Sequence, residues 1–401
     1  MRPATIWLVA GEESGDQLGA KLMRALKERL GPVAFKGVGG HAMEREGLAS
    51  LFPLSDIAVN GISAVIRRLP SILRRIGQTA QAVAADRPDA LVVIDSPDFT
   101  HRVARRVRRR LPDLPILNYV SPSVWAWRPG RAPRMRAYVD HVLALKPFEP
   151  AAHARLGGPP CTYVGHPLIE RLSELRPAAG ERRPLGEGPV ELLVLPGSRR
   201  TEVSRLMEPF GAALARVKEA FPHPLSITLP AVAHLAPEIE AAAKRWPVAP
   251  RIVIGEAEKH AAFRGAHAAL AASGTVTLEL ALSGVPMVVA YRVSKIEEQL
   301  RHVITVPSIV LANLILGENV VPERIQWDCT PEKLAQTLLP LLADTAERRR
   351  QAEAFARLDA LMSTGAESPS EIAARIVCEV MAARLSPAAA TSRLGAAAPS
   401  G

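Results

Sequence analysis

The segment from Ala271 to Arg292, AASGTVTLELALSGVPMVVAYR, constrains the fold of this chain more than any other. A small apolar run from Ala268 to Ala272 ends in Ser273-Gly274-Thr275. Val276, Leu278, Leu280, Ala281 and Leu282 follow at helical spacing, Gly284 stops the helix, and Pro286 opens a second apolar run from Met287 to Tyr291. Strand, tight turn, helix, glycine stop and strand make one βαβ unit. The turn sets Ser273, Gly274 and Thr275 at a helix N-terminus, where free N–H groups and the helix dipole favour an anion, typically a phosphate. Glu279, about one turn further on, is in reach of a ribose diol beyond that phosphate. An ordinary βα turn with a capping hydroxyl and a solvated glutamate fits the same residues. The stretch alone leaves both readings open.

The remainder of the chain repeats this alternation. Ile6 to Ala10 reads as a strand, Gly11 to Asp16 as a turn, and Gln17 to Leu30 as a helix leading to a strand at Phe35 to Val38. The turn lacks G-x-G-x-x-G, so a dinucleotide fingerprint is not supported. Its acidic Glu12, Glu13 and Asp16 suit hydroxyl groups better than pyrophosphate. Ala90 to Ile94 is a continuous apolar strand ending in Asp95-Ser96-Pro97-Asp98-Phe99. Parallel sheets bind ligands beyond the carboxyl ends of their strands, and a carboxylate there suits a general base. Asp98 is assigned the cap of the following helix and Asp95 the chemistry. Ile116 to Val120 leads into SPSVWAWR, where Ser121, Trp125, Trp127 and Arg128 form a candidate platform for a sugar or an anion.

Charge is distributed unevenly. The net charge is +10, with arginine clusters at 67–75, 102–110 and 128–136. An anionic partner or arginine-rich solvated helix faces both account for such clusters. Residues 61 to 76, GISAVIRRLPSILRRI, place Ile62, Val65, Ile66 and Leu69 on an apolar stripe beside Arg67 and Arg68, with Pro70 expected to kink or split the helix. Packing on a sheet and resting on anionic lipid compete for this stretch. No apolar run approaches the ~20 residues needed to span a bilayer. The first residues turn polar too quickly for a signal peptide. The three cysteines form no CxxC pair and the histidines show no metal-ligand spacing, which argues for a reducing compartment and against structural zinc.

With 401 residues the chain holds two or three domains. The Pro/Gly-rich, charged stretch 176–189 marks a boundary. We read an N-terminal domain over 1–168, a linker over 169–189 and a second α/β domain over 190–345. Helices over 346–385 return to the first domain or reach a partner chain, and 386–401 is a low-complexity tail expected to be disordered. The second domain opens with a strand into Pro196-Gly197-Ser198-Arg199, where Gly197 permits close backbone approach and Arg199 offers a charged fork to a phosphate. The best phosphate turns lie in the second domain, while the carboxylates and tryptophans lie in the first. Two doubly wound domains, with a cleft between them holding a nucleotide-bound donor against an acceptor, are the expected architecture. With no D-x-D, a metal-bound diphosphate is not indicated.

AGEESGDQLGA (10–20), GVGGHAMEREG (37–47), VIDSPDF (93–99), NYVSPSVWAWR (118–128), VGHPL (164–168), LPGSRRTEV (195–203), ASGTVTLELAL (272–282) and PMVVAYR (286–292) together resemble the lipid-A-disaccharide synthase family. Its members are bacterial glycosyltransferases of the inverting GT-B type. The resemblance implies transfer from UDP-2,3-diacylglucosamine to 2,3-diacylglucosamine 1-phosphate, giving a β-1,6-linked disaccharide 1-phosphate and UDP. It implies Asp95 as candidate base. Gly197, Ser198, Arg199, Ser273, Gly274, Thr275, Glu279, Asn313 and Gln326 would contact the donor. Ser14, Asp16, Ser121, Trp125 and Trp127 would contact the acceptor. Ala312 stands where the family usually has proline, which puts the rigidity of the Asn313 loop in question.

The resemblance also tips the 61–76 stretch toward acyl or membrane contact at the cytoplasmic face of a Gram-negative inner membrane. No cofactor and no metal are expected, and a homodimer is left open. A UDP-N-acetylglucosamine 2-epimerase or a peptidoglycan glycosyltransferase is the alternative, and neither accounts for SPSVWAWR. A nucleic-acid-binding role leaves the two phosphate turns without a purpose, so no nucleic acid is expected.

Overall fold

A computed structural model of the chain describes residues 3–57, 62–293 and 306–385, with backbone alone for 62–67 and 385. The expected tail over 386–401 lies outside the described residues. The chain divides into two compact units, one of residues through Pro167 together with those from Thr364, the other spanning Leu168–Ser363.

The first unit is built on a seven-stranded parallel sheet in the order β3-β2-β1-β4-β5-β6-β7. Its strands are β1 (Ala4–Ala10), β2 (Val33–Val38), β3 (Ala49–Ser50), β4 (Ala90–Ile94), β5 (Ile116–Tyr119), β6 (His141–Ala144) and β7 (Cys161–Tyr163). Its helices are α1 (Glu13–Leu30), α2 (His41–Arg45), α3 (Ile62–Asp86), α4 (Pro97–Arg110), α5 (Arg131–Met135) and α6 (Glu149–Arg155). Strand side chains alternate across the sheet, and β1 shows the consequence. Ile6, Leu8 and Ala10 enter one core with Leu22 and Leu26 of α1. Trp7 and Val9 enter the other with Ile76 and Val83 of α3 and Val103 of α4. Both faces are covered, which is why these strands read as unbroken apolar runs.

The second unit carries a six-stranded parallel sheet in the order β10-β9-β8-β11-β12-β13. Its strands are β8 (Val190–Leu195), β9 (Leu225–Ala231), β10 (Arg251–Ile254), β11 (Ala268–Ala272), β12 (Met287–Tyr291) and β13 (Glu323–Ile325). The helices are α7 (Leu172–Leu175), α8 (Arg200–Ala220), α9 (Ala236–Ala243), α10 (Glu256–Gly265), α11 (Val276–Leu282), α12 (Leu311–Leu316), α13 (Pro331–Leu338) and α14 (Ala346–Met362). Phe210, Leu214 and Val217 of α8 pack with Leu192, Val194 and Leu270 of the sheet and Leu334 of α13. Both units are therefore doubly wound, with the strand order reversing between β1 and β4 and between β8 and β11.

Four expectations change. Helix α1 starts at Glu13 rather than Gln17, because Glu13 and Asp16 are favoured in a first turn beside the positive end of the dipole. Pro70 does not split α3, which runs on to Asp86. The two C-terminal helices also part company. Helix α14 belongs to the second unit, whereas α15 (Pro369–Leu385) lies on α1, with Ile372, Ile376 and Val377 in the first unit's core. Finally, the stretch 176–189 has no helix or strand yet is not loose. Arg182 donates to the carbonyls of Phe263 (3.2 Å) and Arg264 (3.1 Å) at the end of α10, and of Ser283 (2.7 Å) and Gly284 (2.9 Å) past α11. One cation thus serves two helix C-termini, where unpaired carbonyls and the negative dipole end converge. Burial, with Arg348 nearby, pushes the Arg182 guanidinium down to about 10.

Candidate active site

In open α/β sheets the crevice at the strand-order reversal, beyond the carboxyl ends, is the ligand site. In the first unit this point lies between the turns after β1 and β4. The two turns touch because Gly11 has no side chain: a Cβ there would sit 2.1 Å from Ser96 Cβ. Ser96 Oγ donates to Glu12 Oε1 at 3.1 Å. Asp95 and Ser96 both occupy the left-handed region, with φ of +54° and +42°. Such backbone costs on the order of 1–3 kcal/mol per residue and collects at functional sites. The local sequence explains how it is held. Pro97 disfavours right-handed helical geometry for Ser96, the Asp95 amide donates to Tyr119 O (3.0 Å), and Asp95 Oδ1 accepts from the Ser96 amide (2.7 Å). Thr100 Oγ1 donates to Asp95 O at 2.6 Å. The half-buried Asp95 carboxylate is thereby fixed at the carboxyl end of β4. Asp98 does not cap α4. The helix begins at Pro97, which places Asp98 inside the first turn, and its exposed carboxylate accepts from Arg131 Nη2 at 3.1 Å.

The loop after β5 starts from a third strained residue, Val120, at φ +74°. Asn118 Nδ2 donates to Val120 O (2.9 Å), and Asn118 Oδ1 faces His101 Nε2 (2.9 Å), whose Nδ1 meets Tyr138 OH at 3.1 Å. Burial lowers His101 to about 4, so the ring is neutral and donates from Nε2. Beyond Val120, the buried Ser121 hydroxyl contacts His153 Nε2 at 2.9 Å. Trp125 Nε1 donates to the buried Glu149 carboxylate at 3.0 Å. Trp127 is the more open of the loop's two tryptophans, at 40% exposure, with Arg128 4.2 Å over its ring. Of the residues expected to meet an acceptor, Ser14 and Trp127 are exposed, Trp125 is half-buried and Ser121 is buried within the loop. Asp16 is fully buried, accepting the amides of Gly40 (2.7 Å), Ala42 (2.8 Å) and Met43 (3.1 Å) at the start of α2. Its carboxylate anchors α2, a task that three tertiary hydrogen bonds define and sequence proximity does not.

In the second unit the reversal point lies between the turns after β8 and β11. Gly197 has φ +115°, and a Cβ there would meet Glu202 Oε2 at 2.5 Å. That carboxylate accepts the amides of Ser198 (3.1 Å) and Arg199 (3.3 Å), while Glu202 Oε1 holds Arg199 Nη1 at 3.1 Å. The N-terminus of α8 therefore carries its own internal anion, a residue the sequence reading missed although Glu three positions into a helix is a known cap signature. The Arg199 side chain is 76% exposed, with its Glu202 contact on one side and solvent on the other. At the second turn, Ser273 Oγ donates to Ile309 O at 2.9 Å, whereas Gly274 and Thr275 are exposed, with open space where a Gly274 Cβ would stand. Glu279 faces Lys259 Nζ of α10 at 3.0 Å, and that ammonium also holds Glu256 at 2.9 Å. Lys259 is a second functional candidate that sequence reasoning missed, because only the packing of α10 brings it to α11.

Asn313 and Gln326 act as brackets. Asn313 is buried; its Oδ1 accepts from the Val320 (3.0 Å) and Val321 (2.9 Å) amides, and its Nδ2 donates to Val321 O (2.9 Å). The rigidity in question at Ala312 thus comes from the neighbouring side chain. Ala312 sits in the first turn of α12, where amides lack intrahelical partners, so loss of the family proline breaks no helix bond. Gln326, at φ +52°, accepts the Val293 amide at 2.6 Å. For the expected membrane contacts, the side chains of Ile62, Val65, Ile66 and Arg67 lie outside the described residues. Leu69 is 41% exposed and Arg68 donates to Ser55 O at 3.1 Å. Among the described residues, no helix is long and apolar enough to cross a membrane, and no three His, Cys, Asp or Glu side chains are grouped to hold a metal ion.

Two parallel sheets, each with its turns gathered at a reversal point, define a GT-B-type fold shared by glycosyltransferases and sugar-nucleotide epimerases. Acinetobacter baumannii MurG superposes with a TM-score of 0.58 at 15% identity, over 94% of this chain and 100% of that one. The UDP-GlcNAc 2-epimerase of Neisseria meningitidis, bound to UDP-GlcNAc, gives 0.59 at 12%, again over 94% and 100%. At such identities the likeness is one of fold. The particular family is set by sequence. The lipid-A-disaccharide synthetase family model matches residues 6–377. A lipid-A-disaccharide synthase of Bradyrhizobium diazoefficiens is 60% identical over 94% of this chain and 96% of its own, and one of Rhodospirillum centenum 44% over 96% of each. This chain belongs to the lipid-A-disaccharide synthase family, and its activity is that of a glycosyltransferase. The epimerase and peptidoglycan alternatives are not favoured.

Proposed function

We infer that the chain condenses UDP-2,3-diacylglucosamine with 2,3-diacylglucosamine 1-phosphate, with inversion, and releases UDP. The observation that carries the mechanism is the Asp95 carboxylate on its left-handed turn at the first unit's reversal point. Asp95 takes the proton of the acceptor 6-hydroxyl. The oxygen attacks the donor anomeric carbon from the face opposite the diphosphate. The new C–O bond forms as the bond to the β-phosphate oxygen breaks, and UDP leaves with that electron pair. The exposed Gly274-Thr275 turn and the Arg199 fork are suited to a diphosphate, and Glu279 to the ribose hydroxyls. These groups supply the charge stabilisation that a metal supplies in other transferases, and the reaction is expected to need none. Lipid substrates call for peripheral attachment to the cytoplasmic face of the inner membrane, with the exposed leucines of α3 as contact.

The test is mass-spectrometric detection of disaccharide 1-phosphate and UDP from the two lipids in detergent, with EDTA present. Product under EDTA supports both the reaction and its metal independence; no product from either, with or without added Mg²⁺, overturns the assignment. Asp95→Asn is the informative variant, because Asn tolerates the left-handed region and still accepts from the Ser96 amide. Turnover should fall ~10²-fold or more, the usual contribution of a general base, with the melting temperature held. Near-normal turnover would remove Asp95 from the chemistry.

A further inference from the structure

Helix α3 carries a cationic cavity that the proposed chemistry does not use. Arg68, Ser71 and Arg75 recur at i, i+3 and i+7 and share a face of the helix, with Arg74 beside them. That face closes against Ser55 and Asp56, and the six residues line a cavity of about 420 Å³. Three guanidiniums meet one carboxylate, and Asp56 is already paired with Arg75. The cavity is partly preorganised. The Arg75 guanidinium lies 4.5 Å from the Phe52 ring centroid and donates to Gln78 Oε1 at 2.7 Å. Arg68 is tied to Ser55 O at 3.1 Å. Two features remain unanswered: Arg75 Nε is a buried donor with no partner, and Arg74 is exposed with no hydrogen bond or ion pair among the described residues.

Several planar forks with serine hydroxyls, in excess of local negative charge, form a donor set for a phosphate group. The surroundings say what carries that phosphate. Leu69 and Leu73, next in sequence to Arg68 and Arg74, are exposed at 41% and 39% and form a separate apolar face on the same helical turns. Basic groups flanking an apolar helix face suit a ligand that carries both a phosphate and acyl chains. The cavity also lies where α3 departs from the carboxyl edge of the sheet, the edge that bears Asp95. We propose that this cavity is a binding site for the phosphate group of a lipid. The proposal rests on the reading that the substrates are lipids. Its two sources are a bilayer phospholipid headgroup and the 1-phosphate of the acceptor.

Vesicles of phosphatidylcholine containing either phosphatidylglycerol or oleate, matched in surface charge, separate a phosphate site from diffuse attraction. The variants are Arg74→Glu, Ser71→Ala and, as a charge-matched control on α4, Arg102→Glu. Arg74 and Arg102 are both exposed, so folding is not at stake, and melting curves check it. Arg74→Glu changes the local charge by two units, for which diffuse attraction alone gives up to about 30-fold, so it should weaken binding to phosphatidylglycerol vesicles at least about threefold more than the charge-matched Arg102→Glu. The oleate vesicles should register a smaller loss, and Ser71→Ala, which changes no charge, should weaken only the phosphate-bearing vesicles. In neutral detergent without phospholipid, a raised KM for the acceptor at unchanged kcat identifies the acceptor's phosphate as the occupant; an effect on vesicles alone identifies the headgroup. The proposal is overturned if Arg74→Glu and Arg102→Glu act equally on both vesicle types, or if neither variant of the cavity alters vesicle binding or acceptor KM. Should the unaltered enzyme form no disaccharide, the lipid-substrate reading itself has failed, an outcome separate from these.

Discussion

Asp95, the proposed base, is held in place by neighbouring residues, and of these Gly11 is the most open to test. Any β-carbon at position 11 must displace Ser96, whose Cβ would be 2.1 Å away. Because Ser96 and Asp95 are adjacent in one strained turn, the displacement passes to the carboxylate. Gly11→Ala should cost roughly 1–3 kcal/mol in stability, as overpacking does, and lower kcat by on the order of 10²-fold, as misplacement of about 1 Å does. Urea denaturation and steady-state kinetics check the pair; normal kcat would show that the two turns adjust independently. At this scale the sequence singles out candidates for chemistry more readily than the residues that hold them. Asp95, Arg199 and Glu279 stand beside glycine turns and apolar strands, so their setting is local. Asp16 and Asn313 look equally functional in sequence, yet their hydrogen bonds run to backbone amides on other elements. Buried polar groups of this kind are satisfied by tertiary structure, which a linear reading does not contain.

Helix α3 shows how one element divides between two environments. Ile76, Ala80 and Val83 are buried against the sheet, while Leu69 and Leu73 face outward. The core reading therefore holds for the later part of this helix, and the proposed lipid contact concerns its earlier, exposed part. Ile66→Glu with Leu69→Glu should abolish cosedimentation with anionic vesicles and reduce turnover on vesicle-borne substrate, with the melting temperature unchanged; retention of both would remove α3 from membrane contact. Arg182 is the corresponding device for the second unit. Arg182→Ala leaves carbonyls at two helix ends without their donor and should lower stability by about 1–3 kcal/mol, read as an earlier urea midpoint. An unshifted midpoint would mean that water replaces the guanidinium fully. The βαβ units were legible because strands covered on both faces are continuous apolar runs punctuated by glycine. The persistence of α3 through Pro70 and the pinning of 176–189 were not, since propensity rules describe isolated segments and both outcomes depend on packing.

Across the whole molecule, buried histidines set the response to acid. Burial lowers His101 and His166 from 6.5 to about 4. Both are neutral in the folded chain over that interval while the unfolded chain takes up protons, so the stability they contribute is complete above pH 6.5 and is lost as pH falls toward 4. The slope is up to ~1.4 kcal/mol per pH unit for each group. Melting temperature should be level near neutrality and decline through this window, and His101→Gln should flatten the decline even if it lowers the starting value. A decline that begins only below pH 4.5, or one that His101→Gln leaves intact, would assign it to carboxylates. The placement of α15 has a consequence for how the molecule is made. The first unit's strands leave the ribosome first, but Ile372, Ile376 and Val377, which complete their core against α1, come from the far end of the chain. At ~5–20 residues per second, the intervening roughly two hundred residues take on the order of ten to forty seconds to synthesise. Throughout that time the part of this core that α15 covers stays open. The unit that is translated first is the last to close, and a ribosome stalled within the second unit would release a nascent chain with that surface open to chaperones.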